Sequence, residues 1–129
     1  MTATHLIVDG FGCPSEKLNN EEAIRELLTD LPLTIGMTPI YGTLRIVTFE
    51  AVKPEDSGVS GQLMIAESHI AVHTFPSIDA FMLDVVSCRP FNSAVALEVI
   101  RKHMRPRNVS WQTPTRRILL PSLVRVLTA

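Results

Sequence analysis

Leu63-Met64-Ile65-Ala66-Glu67-Ser68-His69-Ile70-Ala71-Val72-His73-Thr74-Phe75-Pro76 is the stretch on which the reading of this chain turns. It lies in a run, residues 59–74, that is apolar nearly throughout and strand-like. Pro76, which has no N–H to give a ladder, breaks it. Glu67, Ser68 and His69 interrupt its middle, where an unsatisfied polar atom would cost about 1–3 kcal/mol. On a strand, residues 69, 71 and 73 share one face, so His69 and His73 point the same way, about two pleats apart.

On the amino-terminal side of this run, Lys-Pro-Glu-Asp-Ser-Gly at 53–58 has the chemistry of a turn. Before it, residues 41–49 are rich in β-branched and aromatic side chains. There Leu44, Ile46 and Thr48 alternate with Arg45, Val47 and Phe49, which predicts a strand. After the central run, residues 80–86 form a second buried strand leading to Cys88. At the amino terminus, His-Leu-Ile-Val at 5–8 reads as a strand ending in a turn at Asp9-Gly10-Phe11-Gly12.

Two helices frame these strands. Asn19 or Asn20 caps the first, with Glu21 and Glu22 in its first turn. Ala23, Ile24, Leu27, Leu28 and Leu31 then repeat at helical spacing, and Pro32 is expected to stop the run. The second spans 91–104 on Phe91, Val95, Leu97, Val99 and Ile100, with Asn92 or Ser93 at its cap. Residues 118–127, interrupted by Pro121, read as an edge strand or a packing arm. The order strand, helix, several strands, helix, strand gives an α+β class: an antiparallel sheet with helices packed on one face. The other face is left for a partner.

The 129 residues are the size of a single domain, 1–129, and 46% hydrophobic against 19% charged residues suffice for a buried core. No apolar run reaches the ~18–20 residues of a membrane-spanning helix, and no signal peptide opens the sequence. Two cysteines are too few for a disulfide scaffold, which points to the reducing cytoplasm.

Charge is unevenly spread. Residues 1–100 carry five basic and thirteen acidic side chains, a net of −8, whereas 101–129 carry seven basic ones and no acid. Such a basic arm can serve nucleic acid, meet an acidic surface of a second copy, or stay solvated. It lacks the aromatic interleaving of a nucleic-acid binder, so a nucleic-acid partner is not the expectation.

Three readings fit the Glu67-Ser68-His69 interruption. His69, His73 and a cysteine are types that ligate a metal, but no CxxC, HExxH or further nearby histidine supports such a site, so none is expected. Alternatively, the histidines and serine are buried and satisfied by backbone groups. In the third, a serine hydroxyl lies beside a strained carbonyl and a histidine moves the proton.

The quoted stretch resembles the processing-site signature of the bacterial and archaeal S-adenosylmethionine decarboxylase family. Two further blocks resemble that family in the same order. One is His5-Leu6-Ile7-Val8-Asp9 with Gly12-Cys13 and Glu16-Lys17-Leu18-Asn19. The other is Asp84-Val85-Val86-Ser87-Cys88, whose cysteine falls twenty residues after the serine. The resemblance covers roughly residues 4–104. It implies a self-processing, pyruvoyl-dependent decarboxylase of polyamine biosynthesis, with S-adenosylmethionine as the family's substrate.

By that resemblance, Ser68 Oγ attacks the Glu67 carbonyl and turns the peptide bond into an ester. Elimination assisted by His73 then gives a β chain, 1–67, and an α chain, 68–129, that begins with a pyruvoyl group made from Ser68. The keto group forms the Schiff base with the substrate amine, and Cys88 is the proton donor. The composition is compatible: decarboxylation needs an electron sink, and the three lysines, Lys17, Lys53 and Lys102, lie in turn or helix contexts with no phosphate-cradling glycine loop. Cys88 should be partly accessible in that role, while Cys13 reads as a small buried hydrophobe.

Departures from the pattern cluster where substrate is recognised. Where the family has Trp-Pro-Glu-Tyr-Gly-Tyr, this chain has Phe75-Pro76-Ser77-Ile78-Asp79-Ala80-Phe81. Ser77 replaces the glutamate associated with the ribose hydroxyls, and a serine does not match a carboxylate as a double acceptor. Phe49, Phe75 or Phe81 can stack on an adenine or belong to the core. Asp79 can pair with a guanidinium or ammonium, or cap a turn. The expected site is therefore Glu67, Ser68, His73 and Cys88 for chemistry, with Phe49, His69, Phe75, Ser77 and Asp79 around the substrate. L-Arginine or L-ornithine is the alternative substrate within the same mechanism. A non-catalytic regulatory paralogue is a reading of a different class. The partner expected is a second processed protomer, in a homodimer that covers the free sheet face and completes each site.

Overall fold

The computed structural model describes residues 1–118 and Ser122. The expected arm at 118–127 lies outside the described residues apart from Ile118 and Ser122. Eight strands, β1 (Thr2–Phe11), β2 (Thr38–Pro39), β3 (Arg45–Phe49), β4 (Gly58–Ala66), β5 (Ser68–Phe75), β6 (Ala80–Ser87), β7 (Asn108–Gln112) and β8 (Thr115–Arg117), form one sheet. Its order is β2-β4-β5-β6-β1-β7, with β3 also on β4 and β8 also on β1, and every pairing is antiparallel. Three α-helices, α1 (Ser15–Leu18), α2 (Glu21–Thr34) and α3 (Ser93–Met104), and two 3₁₀ turns, Pro54–Asp56 and Pro76–Ile78, complete the elements of the described residues. The α+β class expected from the sequence is the one observed.

The core lies between the sheet and the two longer helices. Helix α2 buries Ile24, Leu27, Leu28 and Leu31, and α3 buries Ala96, Leu97, Ile100 and Met104, both at helical spacing. They face Leu6 and Val8 of β1, Leu63 and Ile65 of β4, Ile70 and Val72 of β5, and Leu83 and Val85 of β6. Alternate residues on the same strands, among them Met64, His73 and Met82, stay at least partly exposed on the opposite face. Asn20 caps α2 by accepting from the Glu22 and Ala23 N–H groups, and Asn92 caps α3 by accepting from Val95, each cap worth about 1 kcal/mol.

Four expectations are corrected. Strand β1 runs on through Asp9-Gly10 to Phe11 instead of turning there. Gly10 sits in it because the Phe81 ring occupies the space a Cβ would need. Pro32 does not stop α2. It lies in the last turn, where its fixed φ is helical and its missing N–H forfeits one bond, and the chain leaves the helix at Gly36, φ 78°. The strand expected at 41–49 begins only at Arg45, with Tyr41 and Gly42 in a turn. Finally, the run 59–74 is two strands. It folds back at Ala66-Glu67, so the polar interruption is the tip of a hairpin.

The stretch after α3 carries strands that periodicity did not announce. Strands β7 and β8 pair with the free edge of β1. Their exposed side chains have no apolar alternation because they lie at the sheet margin.

Candidate active site

The β4–β5 hairpin pairs Ile65 with Ser68 and leaves Ala66 and Glu67 as its two-residue tip. Ser68 lies opposite Ser87 of β6 and has φ 130°, a region that costs a non-glycine residue about 1–3 kcal/mol. The Glu67 side chain is exposed and Ser68 is half-buried. Just past the end of β6, the Cys88 N–H donates to the Glu67 carbonyl oxygen at 3.2 Å. The hairpin thus holds a strained serine next to a carbonyl whose oxygen is already polarised by a backbone donor.

Ser87 braces the segment that carries this donor. Its fully buried Oγ accepts from the Arg89 N–H at 3.0 Å and donates to Met37 Sδ at 3.4 Å. Cys88 is half-buried, with Sγ 3.8 Å from Met1 Sδ, and so keeps partial access. Cys13 is the contrasting thiol. It is buried, and burial followed by the nearby Asp79 charge pushes its pKa up to about 11, which suppresses the thiolate.

His73 stands further along β5, on the face away from the helices. Its Nδ1 lies 2.8 Å from Ser60 Oγ, a hydrogen bond set by the pairing of residues 60 and 73 across the hairpin. Buried Thr74 anchors this part of the strand, accepting from the Val59 N–H and donating to the Leu18 carbonyl. Beside His73 is a cavity of about 240 Å³ lined by Phe49, Asp56, Ser60, Phe75 and Met82. An adjoining cavity shares Phe49 and Gly58 and includes Ser77, whose Oγ donates to the Glu55 carbonyl at 2.7 Å.

The structure therefore brings Glu67, Ser68 and Cys88 together at one end of the sheet, and Phe49, His73 and Phe75 together on its open face. Ser77 adjoins the second group. His69 is exposed one residue from the hairpin tip, paired with Met64 and Val86. Asp79 is placed elsewhere. It adopts φ 53°, accepts from the Cys13 N–H through its carbonyl, and lines a separate cavity with Gly12, Arg105 and Arg107. Phe81 belongs to the core over Gly10. Among the described residues, no three His, Cys, Asp or Glu side chains converge as a metal site. Sequence reasoning missed Ser60. Its only signal was its register partnership with His73, which requires knowing where the hairpin turns.

Residues 4–117 match the family model described as S-adenosylmethionine decarboxylase. The chain belongs to the S-adenosylmethionine decarboxylase family. The match extends beyond residue 104, where the resemblance of the sequence blocks ends, and takes in β7 and β8. The S-adenosylmethionine decarboxylase proenzyme of Caldicellulosiruptor saccharolyticus is 36% identical over 84 residues, 65% of this chain and 62% of that protein. The proenzyme of the same name from Shouchella clausii is 35% identical over 101 residues, 78% of this chain and 73% of its own length. The chain thus matches less than two thirds of the length of the first of these relatives. Among solved structures, the adenosylmethionine decarboxylase of Aquifex aeolicus superposes with a TM-score of 0.76 at 28% identity, covering 92% of both chains. The S-adenosylmethionine decarboxylase family fold is thus present in nearly the whole chain, including the hairpin that carries Ser68.

Proposed function

We propose that this chain, acting as one domain, is a self-processing pyruvoyl-dependent decarboxylase of polyamine biosynthesis. The observation that carries the reading is the Cys88 N–H on the Glu67 carbonyl oxygen, beside Ser68 in its strained conformation. When Ser68 Oγ adds to the Glu67 carbonyl carbon, negative charge develops on that oxygen, where a preorganised backbone donor stabilises it. Collapse breaks the C–N bond and leaves an ester. Loss of the Ser68 α-proton then expels Glu67 as a carboxylate, giving chains 1–67 and 68–129. One water converts the dehydroalanyl amine left at position 68 into a keto group and ammonia.

Once formed, that pyruvoyl group supplies the electron sink for decarboxylation. The residues fit it. Position 68 pairs with Ser87, the neighbour of Cys88, whose partly accessible thiol would return a proton to the α-carbon. A free thiol in this role suits the cytoplasm.

A second copy of the chain is part of the reading. Ser68 and His73 lie on one strand five residues apart, about 16 Å at ~3.3 Å per residue. That separation exceeds the reach of an imidazole, so the His73 that serves a given Ser68 comes from the neighbouring protomer. An isologous dimer through the open sheet face would supply both sites at once.

S-adenosylmethionine is the substrate that the relatives' names support. L-Arginine or L-ornithine is the second reading, favoured by one observation. Position 77 holds a serine whose hydroxyl proton is committed to the Glu55 carbonyl, in place of a carboxylate for ribose hydroxyls. The test is the denatured mass of purified protein with and without a carbonyl-reactive hydrazine, followed by CO2 release from the three substrates. Two fragments split between Glu67 and Ser68, the second hydrazine-reactive, are expected. A single chain persisting through long incubation overturns the reading and leaves the regulatory paralogue.

A further inference from the structure

The cavity beside His73 has an uneven chemistry. Phe49 from β3 and Phe75 from β5 supply aromatic surface, and Met82 from β6 a polarisable wall. The remaining lining residues, Gly58, Ser60 and Thr74, are neutral, and His73 is engaged with Ser60. Asp56 is the one carboxylate, and no lysine or arginine lines the space. Asp56 ends the 3₁₀ turn Pro54–Asp56, held by its N–H donating to the Lys53 carbonyl at 2.9 Å. Among the described residues, its carboxylate has no ion-pair partner within 4.0 Å, although Lys53 is three positions away. Aromatic walls beside a lone carboxylate are the chemistry of a cation subsite.

We propose that Asp56 is the specificity-determining residue of this cavity, where it receives the cationic, N–H-bearing end of the amine substrate, a guanidinium or primary ammonium. This rests on the decarboxylase reading and deepens it toward a basic amino acid. A carboxylate accepts N–H donors in charge-assisted hydrogen bonds, bidentately from a guanidinium. A sulfonium offers no N–H, so Asp56 could serve it only through charge. The cavity volume, about 240 Å³, accommodates a side-chain head group. Ser77, in the adjoining cavity, has its hydroxyl proton committed to the Glu55 carbonyl, so position 77 itself supplies no carboxylate for ribose, and the carboxylate lining that cavity is Glu50.

The test measures binding, so it does not depend on whether the protein processes itself or turns over. Full-length Ser68→Ala protein is titrated by calorimetry with L-arginine, L-ornithine, S-adenosylmethionine and L-citrulline, the last being nearly the shape of arginine with a neutral urea in place of the guanidinium. Arginine or ornithine is expected to bind about tenfold more tightly than citrulline. That preference should collapse when Asp56→Asn is added and return with Asp56→Glu, each variant first shown to be folded by circular dichroism. Equal affinities for arginine and citrulline, a preference that survives Asp56→Asn, or no binding of either basic amino acid at millimolar concentration overturns the proposal. So does S-adenosylmethionine binding more tightly than both basic amino acids with no dependence on Asp56. Failure of the decarboxylase reading is separate, since it shows in unmodified protein as an uncut chain.

Discussion

The Cys88 N–H donates to the Glu67 carbonyl oxygen across 3.2 Å, joining the end of β6 to the tip of the β4–β5 hairpin. The donor is backbone, so it is independent of the thiol on the same residue. Cys88 can therefore assist cleavage through its main chain and turnover through its side chain. Cys88→Ala should cleave at Glu67–Ser68 at close to the normal rate but lose about 10²–10⁴-fold in CO2 release. Intact mass and a radiometric decarboxylation assay on one preparation separate the two roles. An uncut Cys88→Ala chain would show that the thiol itself takes part in processing.

Ser60 and His73 make a second cross-strand pair, and Ser60 should orient the imidazole. Ser60→Ala is expected to slow self-cleavage by about ten- to a hundredfold without unfolding the sheet. Ser60→Thr, which keeps the hydroxyl, should restore much of the rate.

The length of β5 between Ser68 and His73 predicts complementation between chains. Ser68→Ala and His73→Ala proteins should each remain uncut when expressed alone. Expressed together, the His73→Ala chain, which keeps its serine, should be cleaved with the imidazole of its neighbour. Differently tagged chains and a denaturing gel suffice, and no cleavage in the mixture would confine the site to one protomer.

Gly10 and Phe81 make a packing prediction. A methyl at position 10 would overlap the Phe81 ring, so Gly10→Ala should destabilise the fold by about 1–3 kcal/mol, read as a lower urea midpoint. Adding Phe81→Leu should recover part of the loss because it vacates the ring's space.

The two helices are coupled by His103 Nε2 and Asp30 Oδ2, 2.7 Å apart. The hydrogen bond from His103 holds the Asp30 carboxyl below its ordinary value, against a smaller opposing effect of burial, with Thr34 and the His103 and Lys102 charges helping. A carboxyl with a depressed folded-state pKa adds stability above its unfolded value near 3.8, and that stability is lost as pH falls through the lower folded value. Asp30 is more than a third exposed, so solvent screening keeps the effect below about 1 kcal/mol. Asp30→Asn should lower the melting temperature slightly at pH 6 and negligibly at pH 2. An equal deficit at both would assign the effect to packing.

Much of this protein could be read from local pattern. The 3.6-residue spacing of Ile24, Leu27, Leu28 and Leu31 and the cap at Asn20 are properties of consecutive residues, and they placed α2 without reference to anything distant. The same holds for α3 and for buried strand β6, and the ordered blocks around Ser68 and Cys88 carried the family. What local pattern could not supply was pairing. An unbroken apolar run has no feature that marks its fold-back point, so 59–74 looked continuous until the core on one side required Ile65 and Ile70 on the same face. Only tertiary register set Ser60 against His73 and the Cys88 N–H against Glu67, and only the β3–β4 pairing put Asp56 and Phe49 in one cavity. Pro32 within α2 and Gly10 within β1 went the same way, because packing overrode the usual role of each residue as a breaker. The physical reason is range: helix periods and caps are written in neighbouring residues, whereas a site made across strands exists only after loops have closed and the buried face has chosen the register.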